Sequence, residues 1–242
     1  MNFSVTIPAY NEAKILEQNI NLLLAFLKNN FSENNWEVVI AENGSADQTL
    51  TIAKKLSETN RQVRFLQIPQ PGKGLVIRQA WNSSNADILI FMDADLATDL
   101  KHLPQLLENL QDGDLVIGNR LAPTSQVSRS QRRTFYSKLY NLAARQILKS
   151  RLTDCQCGFK GLKKDAWQKI QPHLESESWF FDTELLALAE HFHLKIKELP
   201  INWQEKRTKG NKSRVRIIKT GRHLIKNLWL LKKRLARLPK EC

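Results

Sequence analysis

Cysteine is nearly absent: the 242 residues hold three, Cys155, Cys157 and Cys242, too few for a disulfide framework. Cys155-Gln-Cys157 has the wrong spacing for a zinc knuckle and no second ligand pair accompanies it. This usage suits a reducing cytoplasm. No window approaches the ~20 uninterrupted apolar residues that cross a bilayer. The opening stretch Met1-Asn-Phe-Ser-Val-Thr-Ile-Pro8 lacks a basic run followed by an apolar one, so no signal peptide is expected. Internal repeats and low-complexity linkers are missing too. What remains is an ordinary globular composition, 42% hydrophobic and 25% charged, long enough for one large domain with an appendage. The expected division is a catalytic domain over 1–213 and a basic amphipathic extension over 214–242.

Charge is unevenly spread. Residues 1–118 carry 9 Lys+Arg against 14 Asp+Glu, and residues 119–242 carry 28 against 10. An acidic half joined to a strongly basic one suggests a cation-using half and a half that meets an anionic surface or substrate.

The acidic half alternates short apolar runs with helical periodicity. Strands are expected at Val5–Ile7, Trp36–Ala41, Val63–Ile68, Asp87–Met92 and Asp114–Gly118. Helices are expected over Asn11–Asn29, Ser45–Leu56, Lys73–Ser83 and Leu100–Leu110. Such alternation builds an α/β fold with a mostly parallel central sheet and helices on both faces. Ligands bind beyond the carboxyl ends of its strands. The second half is less regular, with helices over Ser130–Leu148, Glu184–Phe192 and Val215–Leu235 and a strand at Lys195–Leu199.

The most informative stretch is Asp87-Ile-Leu-Ile-Phe-Met-Asp93-Ala94-Asp95. A buried strand ends on two carboxylates that point the same way, with a small residue between them. Two anions so placed repel each other unless a cation or catalysis employs them. Oxygen ligands favour Mg2+ or Mn2+, which keep positions open for substrate phosphates. An Asp pair capping the next helix is the alternative, and the other strand ends decide between the two. Those ends read Ile7-Pro8-Ala9-Tyr10-Asn11-Glu12 and Glu42-Asn43-Gly44-Ser45-Ala46-Asp47. They are followed by Gly72-Lys73-Gly74, Gly118-Asn119-Arg120, Asp154-Cys-Gln-Cys-Gly158-Phe159-Lys160 and Phe181-Asp182-Thr183-Glu184.

This ordered series resembles glycosyltransferase family 2, the inverting enzymes of GT-A fold. Within it the chain looks closest to the polyprenyl- and dolichyl-phosphate hexose synthases, with Asp-Ala-Asp-Leu-Ala-Thr and Cys-Gly-Phe-Lys leaning toward the glucosyl branch. The resemblance implies that Pro8, Ala9, Tyr10, Glu12, Ile40 and Glu42 contact the nucleoside of a nucleoside-diphosphate sugar, UDP-glucose or GDP-mannose. It also implies that Asp93, Ala94 and Asp95 handle the diphosphate, with Asp93 and Asp95 as metal ligands. Ala97 stands where the mannosyl branch often has a metal-binding Gln. The loop at Glu42-Asn43 departs from the family's Asp-Asp.

Each role has a physical reading. Tyr10 and Pro8 offer an apolar wall for a base. Glu12 also suits the positive end of a helix. Gly72-Lys73-Gly74 lacks the spacing of a Walker loop and reads as a turn opening a helix, with Lys73 near phosphate. Arg120 can grip phosphate oxygens with two parallel donors. Asp182 and Glu184 are the candidate general bases for a hydroxyl acceptor, and both equally suit a helix N-terminus. A polyprenyl-phosphate acceptor is already an anion and needs cations to hold it rather than a base. Arg207 and Lys212 lie in a basic segment, Trp203 to Ser213, resembling one that closes over the donor in the family.

Two cationic amphipathic stretches, 128–149 and 216–237, the second with Trp229, suit a membrane interface; packing against the domain or binding nucleic acid are the alternatives. A nucleic-acid module would leave Asp93 and Asp95 unexplained, so no nucleic-acid partner is expected. The expected setting is peripheral, on the inner face of a membrane.

Overall fold

The computed structural model describes residues 2–206 and 217–239. Arg207, Lys212 and the expected boundary at 213/214 lie outside the described residues. Four parallel strands form one half of the central sheet: β1 (Phe3–Ala9), β2 (Trp36–Glu42), β3 (Val63–Gln67) and β4 (Ile88–Met92). They are joined by α1 (Leu16–Asn30), α2 (Thr49–Thr59) and α3 (Lys73–Asn82). The chain continues through α4 (His102–Asn109), β5 (Leu115–Asn119), β6 (Gln126–Ser128) and α5 (Gln131–Leu148). It then forms β7 (Phe159–Lys163), α6 (Lys164–Ile170), α7 (Phe181–His191), β8 (Ile196–Pro200), β9 (Asn202–Gln204) and α8 (Ile217–Leu235). The seven-stranded order is β3-β2-β1-β4-β7-β5-β8, with β7 antiparallel to both neighbours, and β6 pairs with β9 in a separate small sheet.

Every residue of β4 is buried, as the unbroken run Ile88–Met92 requires of a central strand covered on both faces. One face packs on Leu16, Leu23 and Leu27 of α1 and on Leu103 and Leu106 of α4. The other packs on Trp81, Trp167, Phe181 and Leu185, where the Trp81 and Trp167 rings meet edge to face at 4.9 Å. The expected mostly parallel sheet with helices on both faces is what forms.

Four differences from the sequence reading concern the site. Helix α1 starts at Leu16 rather than Asn11, and α2 at Thr49 rather than Ser45; the residues between are used in a loop–loop lock. Helix α7 starts three residues before the expected Glu184, so Asp182 and Glu184 both fall in its first turn. Strands β6, β7 and β9 and helix α6 were not expected at all. Helix α8 packs on α5 and α7, with Leu228 and Leu231 entering their hydrophobic cluster and Ile225, Trp229 and Leu230 left exposed.

Candidate active site

Strands β1, β2 and β4 end at one edge of the sheet. Register pairs Ala9 with Glu42, and Thr6 with Phe91, so Pro8 and Asp93 leave the sheet at the same level. The first two loops are locked to each other. Asn11 N–H donates to Ser45 Oγ (2.8 Å), Glu12 N–H to Thr49 Oγ1 (2.8 Å), and Ala46 N–H to Asn11 Oδ1 (2.7 Å). Asn11 adopts φ +52°, a left-handed conformation that Asn tolerates better than most residues. Gly44, at φ +74°, has its Cα against the Pro69 carbonyl, where a side chain would collide.

In this frame Tyr10 is 37% exposed and Pro8 half-buried, forming an open wall. Ala9 and Ile40 are fully buried strand residues, and the Ile40 side chain belongs to the hydrophobic core. Glu42 is buried at the floor, where its Oε1 accepts the Ser45 N–H at 2.5 Å.

Beyond β4, Asp93 N–H donates to Gly158 O (3.1 Å) and Leu96 N–H donates to Asp93 O (3.0 Å). Asp95 Oδ1 accepts the Ala97 N–H (3.2 Å), and Asn19 of α1 holds the Ala94 carbonyl (2.8 Å). Leu96 adopts φ +46°, strained for a leucine, and such outliers concentrate where a site dictates the backbone. The Asp93 side chain is 38% exposed.

Lys73 approaches Asp93 from α3. Its Nζ lies 3.0 Å from Asp93 Oδ1 and 3.1 Å from Asp182 Oδ2. The flanking glycines have a packing reason: a Cβ on Gly74 would lie 2.5 Å from Ser176 O and 2.6 Å from the Phe181 Cβ, and one on Gly72 2.6 Å from Glu177 O. The segment before α7 thus clamps the start of α3. Burial alone would lower the Lys73 pKa, but Asp182 and Asp93 overcome it and hold the ammonium above the usual lysine range. Asp182 is likewise buried, which would raise its carboxyl; Lys160 and Lys73 reverse this and hold it below the usual range. Lys160, fully buried, meets Asp182 Oδ1 at 2.6 Å. Glu184 accepts the Glu175 N–H (3.2 Å) and the Ser176 N–H (2.7 Å), and is paired with Arg234 of α8.

Arg120 follows β5. Its Nε and Nη2 donate to the two oxygens of Asp154 at 2.8 Å each, and its backbone N–H donates to the same carboxylate. Asp154 is fully buried, which would raise its carboxyl, and the Arg120 guanidinium overcomes this and holds it below the usual range. The Arg120 guanidinium also lies 5.7 Å from the Trp203 ring centre. Beside this pair stand Arg129 and Arg133, just before and inside α5. Arg129 donates its Nε to Thr134 Oγ1 (3.1 Å), while one of its terminal nitrogens is buried with no hydrogen-bond partner. Burial and the neighbouring Arg120 lower its pKa. Arg133 pairs with Glu205.

The sequence model of glycosyl transferase family 2 matches residues 4–171. The chain belongs to glycosyl transferase family 2. It is 33% identical over 232 residues to the glycosyltransferase AglD of Haloferax volcanii, covering 94% of this chain and 37% of that protein. It is 31% identical over 217 residues to human dolichyl-phosphate beta-glucosyltransferase (84% of this chain, 67% of that protein). The yeast enzyme of the same name is 31% identical over 228 residues (84% and 66%). The chain therefore spans about a third of the Haloferax protein and about two thirds of the dolichyl-phosphate enzymes. Among solved structures it resembles glucosyl-3-phosphoglycerate synthase of Mycobacterium tuberculosis, crystallised with Mn2+, UDP and phosphoglyceric acid. That match has a TM-score of 0.68 at 18% identity and covers 98% of this chain and 79% of that one. At that identity the likeness establishes the fold, which is GT-A.

For this family 2 chain the donor set suits a hard divalent cation. Asp93 and Asp95 supply oxygen only, on a partly exposed loop, as Mg2+ or Mn2+ prefers. Among the described residues no group of three or more His, Cys, Asp or Glu could hold a metal ion, so Asp93 and Asp95 are the pair that would hold one.

The structure thus gathers Pro8, Tyr10, Glu12, Glu42, Lys73, Asp93, Asp95 and Asp182 at one edge of the sheet. Residues the sequence reading gave no role are Gly158, Asp154, Lys160 and Arg129. The first three stand inside the quoted Asp154–Lys160 motif, so its order was the available signal. For Arg129 the signal was its place in the run Arg129-Ser-Gln-Arg-Arg133.

Proposed function

We propose that this glycosyltransferase moves a hexose, with inversion, from a nucleoside-diphosphate sugar to a polyprenyl phosphate at a membrane surface. UDP-glucose is the favoured donor, its sugar supported by the glucosyltransferase names of the relatives. The observation that carries the choice of acceptor is the state of Asp182. Both its oxygens are committed to lysine ammonium groups, 2.6 and 3.1 Å away, and its carboxyl is held below the usual range. Glu184 is committed to two backbone N–H groups and Arg234. A hydroxyl acceptor needs a base within reach; a phosphate acceptor needs positive charge instead. Arg129, beside the Arg120–Asp154 pair, supplies that charge.

In this reading the base stacks on Tyr10 against Pro8, with Glu42 and the locked loops shaping the floor. Asp93 and Asp95 would hold the metal, which would supply Lewis-acid stabilisation of the leaving diphosphate. Lys73 adds a positive charge beside Asp93, on the path of the departing phosphate. Arg129 orients the acceptor phosphate for in-line attack on the anomeric carbon.

The test compares a short polyprenyl phosphate with the corresponding alcohol, in wild type and Arg129→Met. The phosphate is glycosylated and the alcohol is not. Arg129→Met raises the acceptor KM about tenfold, the size of one charge-assisted contact, while the donor KM stays within about twofold. Equal use of the alcohol would contradict the reading.

Membrane contact follows from α5 and α8, which pack together. They expose Phe135, Tyr136, Leu139 and Leu142, and Ile225, Trp229 and Leu230, among exposed Lys138, Arg145, Lys226 and Lys233. No helix among the described residues is long and apolar enough to cross a membrane; the contact proposed for α5 and α8 is peripheral, on the inner face. Each Lys or Arg near an anionic leaflet adds about 1 kcal/mol. In flotation with vesicles containing anionic lipid, Trp229→Asp/Leu230→Asp reduces the bound fraction at least about fivefold. An unchanged fraction places the contact elsewhere.

A further inference from the structure

Lys160 is the least expected charge in the molecule. It lies on β7, central to the sheet, with no solvent exposure. Its ammonium has three acceptors: the Cys157 carbonyl (2.6 Å), the Cys155 carbonyl (3.3 Å) and Asp182 Oδ1 (2.6 Å). A lysine has three N–H donors, so this group is saturated by the fold and has nothing left for a substrate. In some proteins a buried charge this costly to desolvate is retained because it fixes a geometry.

Its partners lead to Asp93 by two routes. Through Asp182, whose second oxygen holds Lys73 at 3.1 Å, the line continues to Asp93 Oδ1, 3.0 Å from the Lys73 Nζ. The charges alternate along it, and both ammonium groups lie over the Phe91 ring, at 5.4 and 4.9 Å from its centre. Through the carbonyls of Cys155 and Cys157, Lys160 also pins the loop that carries Gly158. Gly158 accepts the Asp93 N–H and packs against the Asp93 carboxylate.

We infer that Lys160 is a positioning residue for the diphosphate-handling carboxylate Asp93, acting through Asp182 and Lys73 on one side and the Cys155–Gly158 loop on the other. This rests on the proposed role of Asp93 and adds to it. Asp182 serves as the link between two lysines. Lys73 is held between Asp182 and Asp93, 3.1 and 3.0 Å from their oxygens, so its ammonium stays beside the carboxylate that would hold a divalent cation.

The test uses Lys160→Met, Asp182→Asn and the double variant of the whole chain. It measures Mn2+ affinity in the presence of UDP, thermal midpoint, and kcat apart from KM. Lys160→Met weakens Mn2+ binding at least about tenfold and lowers kcat at least about thirtyfold in folded protein. Asp182→Asn moves both the same way, and the double variant is no worse than the worse single one, as links of one chain require. Folded Lys160→Met with Mn2+ affinity within twofold of wild type would overturn the inference. So would loss of kcat in Asp182→Asn alone with Lys160→Met unaffected.

Should Lys160→Met not fold, NMR of the lysine ammonium groups in the unaltered protein decides. Adding Mg2+ and UDP shifts the signals of Lys73 and Lys160 together, and a shift of Lys73 without Lys160 overturns the coupling. The metal and NMR readouts need neither sugar nor acceptor, so they fail separately from the proposed reaction.

Discussion

Replacing Asp93 by asparagine lowers kcat for hexose transfer about 10²–10³-fold, the loss expected when the cation this carboxylate would hold against the developing diphosphate is displaced. The side chain keeps its shape, and its backbone N–H still donates to Gly158, so the fold is retained. The cost falls on kcat, because the interaction of a cation held by Asp93 with the leaving group strengthens as that group gains negative charge. Initial rates at saturating donor and acceptor over a Mn2+ titration check this. A variant that regains wild-type kcat at high Mn2+ would mean that Asp93 only sets metal affinity. Lys73 loses one of its two carboxylate partners in this variant and retains Asp182.

Gly158→Ala has an effect of similar rank with no change of charge. A Cβ at this position would sit inside the van der Waals envelope of the Asp93 carboxylate, overlapping both its oxygens and Cγ. The obstacle is steric, because Gly158 is not among the residues with positive φ. Either Asp93 rotates or β7 moves away from β4, and both displace the carboxylate from Lys73 and from the metal position. The expected result is a fall in kcat of about 10²-fold, since a shift near 1 Å in a reacting constellation costs about that much. Overpacking of this kind also destabilises by about 1–3 kcal/mol. Steady-state rates beside a thermal melt separate the two. Near-normal kcat would show that the Asp93 side chain has room to give way.

The ends of β2 and β4 were legible in the sequence because the apolar runs Val38–Ala41 and Ile88–Met92 stop abruptly at Glu42 and Asp93, whereas β1 alternates Phe3, Val5 and Ile7 with Ser4 and Thr6 and was marked by the Pro8 that follows. Burial on both faces writes itself as such a run. The loop residues after β1 and β2 were readable in kind but not in use. Asn11 to Ile15 and Ser45 to Gln48 have helical or capping character, yet their side chains and N–H groups are spent tying the two loops together, which delays α1 and α2 by several residues. Strand β7 was not legible. Phe159-Lys-Gly-Leu-Lys163 has a charge at a position that turns out fully buried, and what makes Lys160 tolerable there is Asp182, on a different element. Asp182 itself read as base or helix cap, since a first-turn carboxylate suits either. Its actual partners are two lysines distant in sequence, which no local pattern announces. The amphipathic stretch before Leu235 left packing and interfacial binding as alternatives, and α8 has a surface for each: Leu228 and Leu231 inward, Trp229 and Leu230 outward.

The tenfold acceptor effect expected for Arg129→Met and the commitment of Asp182 to lysines point the same way on pH. Asp182 has its pKa lowered, so it is already ionised within the ordinary carboxylate range, and the stability it contributes is lost only as pH falls through that lowered value. It therefore places no limb on the rate between about pH 5 and 8. An acidic limb in that window belongs to the acceptor phosphate, whose second ionisation is near pH 6.

The most direct measurement incubates the purified protein with Mn2+, radiolabelled UDP-glucose and a short polyprenyl phosphate, then extracts the lipid phase. Label in a lipid-linked phosphohexose, lost on chelation of Mn2+ and absent when the polyprenyl alcohol replaces the phosphate, is the predicted result. Label transferred to a saccharide hydroxyl, with none entering the lipid phase, would contradict the account.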